Sequence, residues 1–424
     1  MLLGGCRPPS AARTAGRPRG ALPRIVGITL ALLLGAGSLT SLEAQVESGD
    51  PEAIAEAEEF EPAPAGEAQP GDKSLITRFS FYNHGDSGDG NPFVDEALTV
   101  IKPVIIFDHT VSETFAYTLD FHYDYVSSAS IDRLSNFPEQ SGASADNYIG
   151  FDLAGRWKLS DGWRVGAHAG FSDEYDYDSI GFGGNVSRDL AGKDATIGLS
   201  LNTYFDDIRV IRFDGSEAGG ETRTSISTTA SWYQVISPTV HGTFGATVSL
   251  QDGFLSTAYN GVVIENPAAP PNPTLDNNAR GTEVAEILPD TRMRLALFGR
   301  VRTSLAPGKA YELGGRIYSD DWGVTSFTFE PRWYQTLIPG KLDGMIRYRF
   351  YTQTAADDYE DHFFAVEKFM TQDSDLADLD SHTLGGRLTY HLGRDDSLSI
   401  GLDYVLRSDG LDQILATFAW EHRF

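Results

Sequence analysis

Cysteine is almost absent from this chain of 424 residues, since Cys6 is the single one. One thiol near the amino terminus cannot form an internal disulfide or a thiolate metal site, so both are excluded. Basic residues are also scarce, with 33 Lys and Arg against 60 Asp and Glu and a formal charge of −27. This acidic balance argues against nucleic acid as a partner, because nucleic-acid binding needs a basic surface.

Long apolar runs are missing as well. The run at residues 25–36 is shorter than the roughly 20 residues that a membrane helix needs. It follows a leader with five arginines and precedes Ala44, which is typical of a secretory signal peptide. We therefore expect residues 1–44 to be cleaved, which would remove Cys6 and leave 28 basic and 59 acidic residues. A membrane-spanning chain without apolar helices must form a closed β-barrel.

Residues 45–73 have a different composition from the rest. They carry nine acids and four prolines, and Lys73 is their first basic residue. Such a segment cannot bury enough apolar surface to offset its chain entropy. We expect an acidic, Pro/Ala/Glu-rich, disordered periplasmic tail; a plug that enters the barrel is the alternative.

Residues 74–424 alternate between apolar and polar residues, as in Thr196–Phe205 and Thr243–Leu250. Segments of about ten residues with this period are typical of membrane barrel strands. Seven short turns separate longer polar connections: His109–Thr114, Ser160–Gly162, Ala191–Asp194, Ser237–Pro238, Ala306–Lys309, Pro339–Lys341 and Gly393–Asp396. The pattern predicts an all-β, transmembrane antiparallel β-barrel of about 16 strands. The alternative is an extra hairpin in the region Tyr259–Glu265, inside its loop, which would change the strand count by two.

The last strand ends on an aromatic residue. Phe418, Trp420 and Phe424 share one face, and Thr417 and Glu421 share the other. A terminal strand of this kind resembles the sorting signal of bacterial outer-membrane barrels. We predict an assembly signal read by the barrel assembly machinery, and an outer-membrane location.

Several stretches resemble an uncharacterised bacterial outer-membrane family, domain of unknown function 3570. They are Tyr123–Ser130, Ser141–Ser144, Ser172–Ser179, Gly253–Leu255, Leu288–Arg292, Tyr318–Gly323 and Arg347–Asp357. The resemblance implies a barrel and supplies no substrate or catalytic residue. It keeps open a role beside flavin-transferring and small lipoprotein components, as a housing for electron transfer.

The strand pattern predicts an arginine wall inside the barrel, because arginine near the middle of the lipid face would cost about 2–4 kcal/mol. Its nine members are Arg292, Arg294, Arg300, Arg302, Arg316, Arg332, Arg347, Arg349 and Arg387. Lumen acids are predicted at Asp120, Asp124, Asp152, Glu330, Asp403 and Glu421. Charged rings set selectivity in channels. The alternative is that these arginines only pair with acids in a rigid, closed barrel.

The outer loops are rich in acids, and Asp320 and Asp321 are expected in one of them. Asp173, Glu174, Asp176 and Asp178 are weak candidates for a surface divalent cation. Their spacing matches no known calcium loop, so we predict no metal site and no cofactor. The loop at residues 252–289 is expected either to fold inward as a constriction or to be mobile.

The sequence favours a porin-like channel for passive diffusion of small solutes, with the lipid bilayer and lipopolysaccharide as further partners. A closed barrel serving as scaffold or housing for a periplasmic or lipoprotein partner is the alternative, as is a surface receptor or adhesin. No nucleophile elbow, phosphate loop or zinc motif is present in the sequence, so an enzyme is not expected.

Overall fold

The computed structural model describes residues 69–86, 93, 97–127, 146–267 and 281–424. The expected signal peptide and nearly all of the expected acidic tail lie outside these residues, as does Ser141–Ser144. No helix in the described ranges is long and apolar enough to cross a membrane.

Sixteen strands close into one antiparallel barrel. They are β1 (Lys73–Asp86), β2 (Leu98–Thr110), β3 (Phe115–Ser127), β4 (Asp146–Lys158), β5 (Trp163–Asp173), β6 (Tyr177–Leu190), β7 (Ala195–Ile211), β8 (Glu217–Ser237), β9 (Val240–Gly253), β12 (Thr291–Ala306), β13 (Lys309–Asp320), β14 (Thr325–Ile338), β15 (Leu342–Gln353), β16 (Leu379–His391), β17 (Asp396–Arg407) and β18 (Leu411–Arg423). A separate hairpin consists of β10 (Gly261–Glu265) and β11 (Gly281–Ala285).

The barrel strands follow one another in chain order, except that β9 pairs directly with β12. The ring closes where β1 pairs with β18, with Ser74 opposite Arg423 and Asp86 opposite Leu411. Closure removes the open sheet edges that would otherwise pair with other chains. The prediction of about 16 antiparallel strands is confirmed. The region Tyr259–Glu265 supplies only one strand of the separate hairpin, because its partner β11 lies further along the loop.

The alternation of residue types gives the barrel two chemically different faces. In β12, Met293, Leu295 and Leu297 are 40–51% exposed on the outer surface. Arg292 and Arg294, between them in sequence, are 2% and 7% exposed on the inner face. An apolar outer surface is favourable against a hydrocarbon phase, because exposing it to water costs about 25 cal/mol per Å².

Aromatic residues gather on the outer face near one end of the barrel. Trp157, Trp163 and Trp232 are 38–50% exposed there, close to the short turns. Trp333 and Trp420 lie at the same end of β14 and β18. This distribution is typical of the aromatic girdle of a membrane barrel.

The two ends of the barrel differ in their connections. Seven short turns, all where the sequence predicts them, lie at the end that also holds Lys73 and Phe424. The longer connections, including residues 254–290 and 354–378, lie at the other end. We call the end with the seven short turns the turn end and the opposite end the loop end.

The two longest loops pack on each other at the loop end. Val262 of β10 packs with Phe363 and Met370, and the backbones of Ile287 and Met370 pair directly. Leu288 and Leu376 pack on the inward-facing Ala296 and Tyr318. These loops therefore contact the inner wall and cover part of the mouth.

Candidate functional site inside the barrel

The predicted arginine wall lies on the inner face of five adjacent strands, β12 to β16. Arg292, Arg294, Arg332, Arg347 and Arg349 are all buried, with at most 7% exposure. Arg300, Arg302, Arg316 and Arg387 are partly exposed. The structure thus places all nine on the inner face of adjacent strands.

Most of the wall arginines have acidic partners on the same strand or no more than two strands away. Glu312 of β13 forms ion pairs with Arg300 at 3.4 Å, Arg332 at 3.7 Å and Arg302 at 4.0 Å. Arg332 also pairs with Glu330. Strands β12 to β16 contain nine arginines and five acidic residues, which are Glu312, Asp320, Glu330, Asp343 and Asp380. This excess of arginine favours a wall with net positive charge.

Gly385 makes one of these ion pairs possible. Arg347 on β15 and Asp403 on β17 lie on either side of β16, each in register with Gly385. Arg347 Nε and Asp403 Oδ1 are 2.8 Å apart. A Cβ at position 385 would overlap Asp403 Oδ1 and lie 3.0 Å from Arg347 Nε. Only glycine therefore lets the two side chains meet across the strand.

The remaining predicted lumen acids lie on two other parts of the inner face. Asp120 and Asp124 on β3 and Asp152 on β4 are across the barrel from the wall, since β3 and β13 are eight strands apart in the ring of sixteen. Glu421 lies near the turn end and pairs with Arg423 at 2.7 Å. Glu330 and Asp403, in contrast, belong to the arginine wall itself. The predicted lumen acids therefore do not all lie opposite the arginine wall.

The wall containing Asp120 and Asp124 is a mixed network. Asp124 Oδ2 accepts from Lys102 Nζ at 2.8 Å. His122, which is 1% exposed, lies 3.0 Å from the Tyr148 hydroxyl through Nε2 and 3.7 Å from Asp120 through Nδ1. On the next strands, His168 Nδ1 and an Asp152 oxygen are 3.9 Å apart. These contacts bring opposite charges close together, but Asp120 Oδ1, His122 Nδ1 and Asp124 Oδ1 remain buried without a hydrogen-bond partner in the described ranges.

Sequence reasoning missed a second network at the loop end. Asp320, expected in an acidic outer loop, is buried instead and accepts from Arg292 Nε at 2.9 Å and the Tyr318 hydroxyl at 2.7 Å. Arg223 of β8 donates to Asp206 at 2.8 Å and to the Tyr177 hydroxyl at 2.8 Å. The alternation of β8 places Arg223 in phase with inward Ser225 and Ser227, so its orientation was readable from the sequence. Its partner on β7 was not, because pairing depends on register.

The loops are tied to the inner wall by polar contacts as well. Arg407 on β17 reaches Asp375 of the 354–378 loop at 2.8 Å. Gln353 on β15 donates to the Asp375 carbonyl at 3.0 Å and to the Ala377 carbonyl at 2.6 Å. In the same loop, partial burial and the neighbouring charge of Asp357 raise the pKa of Asp358.

The weak cation candidates do not converge. Asp173 and Asp178 pair across β5 and β6 on the outer face. Asp176 is buried and accepts a hydrogen bond from the Tyr259 hydroxyl. No group of three or more His, Cys, Asp or Glu side chains suited to a metal ion occurs in the described ranges.

The predicted assembly residues lie on the outer face of β18. Phe418 and Phe424 are 48% and 67% exposed. The Trp420 indole donates to Asp396 at 3.1 Å, and the Phe424 backbone N–H donates to the Lys73 carbonyl at 2.9 Å. The terminal strand is therefore fully integrated into the barrel, with its aromatic side chains accessible.

Many solved barrels share this general shape at very low sequence identity. One is described as a bacterial polysaccharide outer membrane secretin, with 10% identity, a TM-score of 0.48, and coverage of 82% of this chain and 98% of that one. The outer membrane protein OpdK from Pseudomonas aeruginosa matches with 9% identity, a TM-score of 0.39, and coverage of 83% and 98%. The siderophore receptor PirA from Acinetobacter baumannii matches with 9% identity, a TM-score of 0.42, and coverage of 81% and 53%.

No curated protein matches the chain. One family model does match, over residues 145–414, which extends from the start of β4 into β18. The resembling stretches from Ser172 onward fall inside this range, whereas Tyr123–Ser130 and Ser141–Ser144 precede it. The chain therefore belongs to the family described as protein of unknown function (DUF3570).

Proposed function

We propose that this protein is an outer-membrane channel through which small anionic or zwitterionic solutes diffuse passively along an arginine-lined interior. The observation that carries the proposal is the excess of guanidinium groups over carboxylates on β12 to β16. Fixed positive charge on a pore wall lowers the free energy of anions inside it and raises that of cations. Arg387 contributes most directly, since it is partly exposed and forms no ion pair with any residue in the described ranges.

The outer surface supports placement in the bacterial outer membrane. Each strand presents apolar residues outward, and tryptophans cluster near the turn end. In this placement the turn end faces the periplasm and the long loops face outward. The bilayer and its lipopolysaccharide would then surround the barrel, and the assembly machinery would read Phe418, Trp420 and Phe424.

A closed barrel is the second candidate. The observation in its favour is that Leu288 and Leu376, from the described parts of the two long loops, pack on inward-facing side chains at the loop end. Such a barrel would act as a receptor, or as a housing for a lipoprotein or electron-transfer partner. The two candidates differ in one measurable property, which is steady conductance.

The decisive experiment is single-channel recording of the refolded mature protein in a planar bilayer, with the reversal potential measured in a salt gradient. We expect steady conductance with anion preference. Arg387→Glu should lower the ratio of anion to cation permeability by at least about twofold, because it reverses an accessible charge in the pathway.

The matched control is Arg209→Glu, which changes the charge equally on the outer face of β7 at the loop end. Its effect on the reversal potential should be small. A folded barrel without conductance would instead support the closed-barrel candidate. Conductance with an unchanged reversal potential in Arg387→Glu would rule out the arginine wall as the selectivity element.

A further inference from the structure

We infer that Arg294 binds a small monoanion of the carboxylate class inside the barrel, beneath the packed loops. Arg294 is 7% exposed on the inner face of β12. Its buried Nε lacks a hydrogen-bond partner, and no side chain in the described ranges forms an ion pair with it. Arginine stays charged in proteins, and a buried charge without a counter-charge is strongly unfavourable. A counter-ion must therefore come from outside the described chain.

Asp320 is opposite Arg294 in the β12–β13 register but cannot neutralise it. Its Oδ1 accepts the backbone N–H groups of Trp322 at 3.1 Å and Val324 at 2.9 Å. Its Oδ2 accepts from Arg292 and from the Tyr318 hydroxyl. A carboxylate has about four acceptor positions, so this one is saturated, and its charge is matched by Arg292.

Besides Arg292, the nearby cation that repels the charge of Arg294 is Arg223. The charge of Arg223 is already matched by Asp206. The Asp206 pair is buried on both sides, and Asp206 Oδ1 also accepts from the Ser179 hydroxyl at 2.7 Å. The three arginines Arg292, Arg294 and Arg223 thus share the two carboxylates of Asp320 and Asp206. One positive charge is left over, and the position without an ion pair is Arg294.

The surroundings of Arg294 suit a bound anion. Ala296 and Tyr318 belong to a buried apolar cluster with Leu288 and Leu376 at the loop end. Gln251 lies one inward-facing position away on β9, and its amide oxygen is buried without a donor. Reversing that amide would present an N–H group instead, since the two orientations have the same shape.

The charge count also selects the class of ligand. A single uncompensated guanidinium is neutralised by one negative charge, and its two parallel N–H groups match the two oxygens of a carboxylate. A dianion such as sulfate would leave one negative charge unmatched in a buried region. A small monocarboxylate is therefore the favoured ligand.

This inference deepens the proposed function, on which it rests for the route by which the anion arrives. Its test does not depend on conductance, so the two can fail separately. The folded mature protein in detergent is titrated with sodium acetate that replaces sodium chloride at constant ionic strength, and the unfolding temperature is followed. A ligand that binds only the folded state raises this temperature saturably.

We expect saturable stabilisation by acetate in the wild type and in Arg209→Met, a control on the outer face of β7. Arg294→Met should weaken the acetate effect at least about tenfold. Without acetate, Arg294→Met should unfold at a higher temperature than the wild type, because it removes an uncompensated buried charge. Arg292→Met should unfold at a lower temperature, because it leaves Asp320 unpaired.

Three results would overturn the inference. The first is the absence of any saturable acetate effect in the wild type. The second is an acetate effect that persists in Arg294→Met, and the third is sulfate binding as strong as acetate binding. If Arg294→Met does not fold, Arg294→Lys serves instead, since it keeps the charge but loses the paired donors. It should bind acetate more weakly, and unchanged binding would count against the inference.

Discussion

Single residues inside the barrel act through the contacts that their neighbours permit. The Arg347–Asp403 ion pair spans an intervening strand, so its existence depends on the missing side chain at position 385. Charged groups on non-adjacent strands can meet in this way while they lie flat against the wall.

Gly385→Ala tests this arrangement. The new Cβ would displace Asp403 and leave the buried Arg347 without that partner, so we expect a loss of at least about 1 kcal/mol in the free energy of unfolding. Gly401→Ala is the matched control, because this inward glycine lies on the next strand and a Cβ there would come no closer than 3.8 Å to Gly386 O and Thr417 Cβ. Urea unfolding in lipid vesicles measures both, and equal stabilities would contradict the prediction.

Asp358 makes the packing of its loop dependent on pH. Burial and Asp357 raise its pKa in the folded loop, so the folded state binds the proton more tightly than the unfolded state does. The resulting stabilisation is full below the unfolded pKa and is lost as the pH rises through the raised, folded pKa.

Asp358→Asn should therefore protect the 354–378 loop at neutral pH and remove this part of its pH dependence. Hydrogen exchange of the loop amides, compared at neutral and mildly acidic pH, measures the effect. Asp378→Asn, an exposed change in the same loop, is the control. Equal loop protection in Asp358→Asn and the wild type at neutral pH would refute the assignment.

At the scale of elements, β18 combines two roles. Its backbone closes the ring on β1, and its outward aromatic side chains remain accessible. The Phe424 ring contacts His422 edge-on at 4.4 Å, so it contributes little buried area. A strong requirement for this ring would therefore point to recognition during assembly.

Phe424→Ala should lower the amount of folded barrel in the outer membrane severalfold while changing the unfolding free energy by less than about 1 kcal/mol. The heat-modifiable fraction on gels reports folding in cells, and urea titration of purified protein reports stability. Leu159→Ala, an exposed apolar change in a turn at the same end, should leave both unchanged. Normal levels of folded Phe424→Ala would exclude it as an assembly signal.

At the scale of the whole molecule, the outward apolar surface defines the phase that surrounds the barrel. Leu297 lies near the middle of β12 and is 51% exposed. If lipid covers it, Leu297→Arg should destabilise the barrel by about 2–4 kcal/mol. The measurement is the free energy of unfolding in lipid vesicles.

Tyr175→Arg is the control, because this residue is 61% exposed in the short connection at the loop end. Outside the hydrocarbon layer the cost should fall to about 0–1 kcal/mol. A similar small cost at Leu297 would mean that water, not lipid, faces the outer surface.

The number of strands, and the side of the barrel to which each side chain points, could be predicted from the sequence alone. Side chains alternate with a period of two along any strand, so residue types alone assign Leu297 to the outside and Arg300 to the inside. The turns were equally readable, because short polar segments interrupt the alternation at each of the seven positions. These are local properties, and they need no knowledge of which strands meet.

Which arginine forms an ion pair with which carboxylate depends on the tertiary structure. Asp320 was expected in an outer loop, yet register and the turn after β13 bury it against Arg292. Arg294 lies one inward-facing position from Arg292 and has the same side chain. It forms no ion pair within the described ranges, because Asp320 is already saturated. The packing of the two long loops on the inner wall was likewise undecided, since it joins segments far apart in sequence. Pairing is a property of distance in space, which alternation along a strand does not encode.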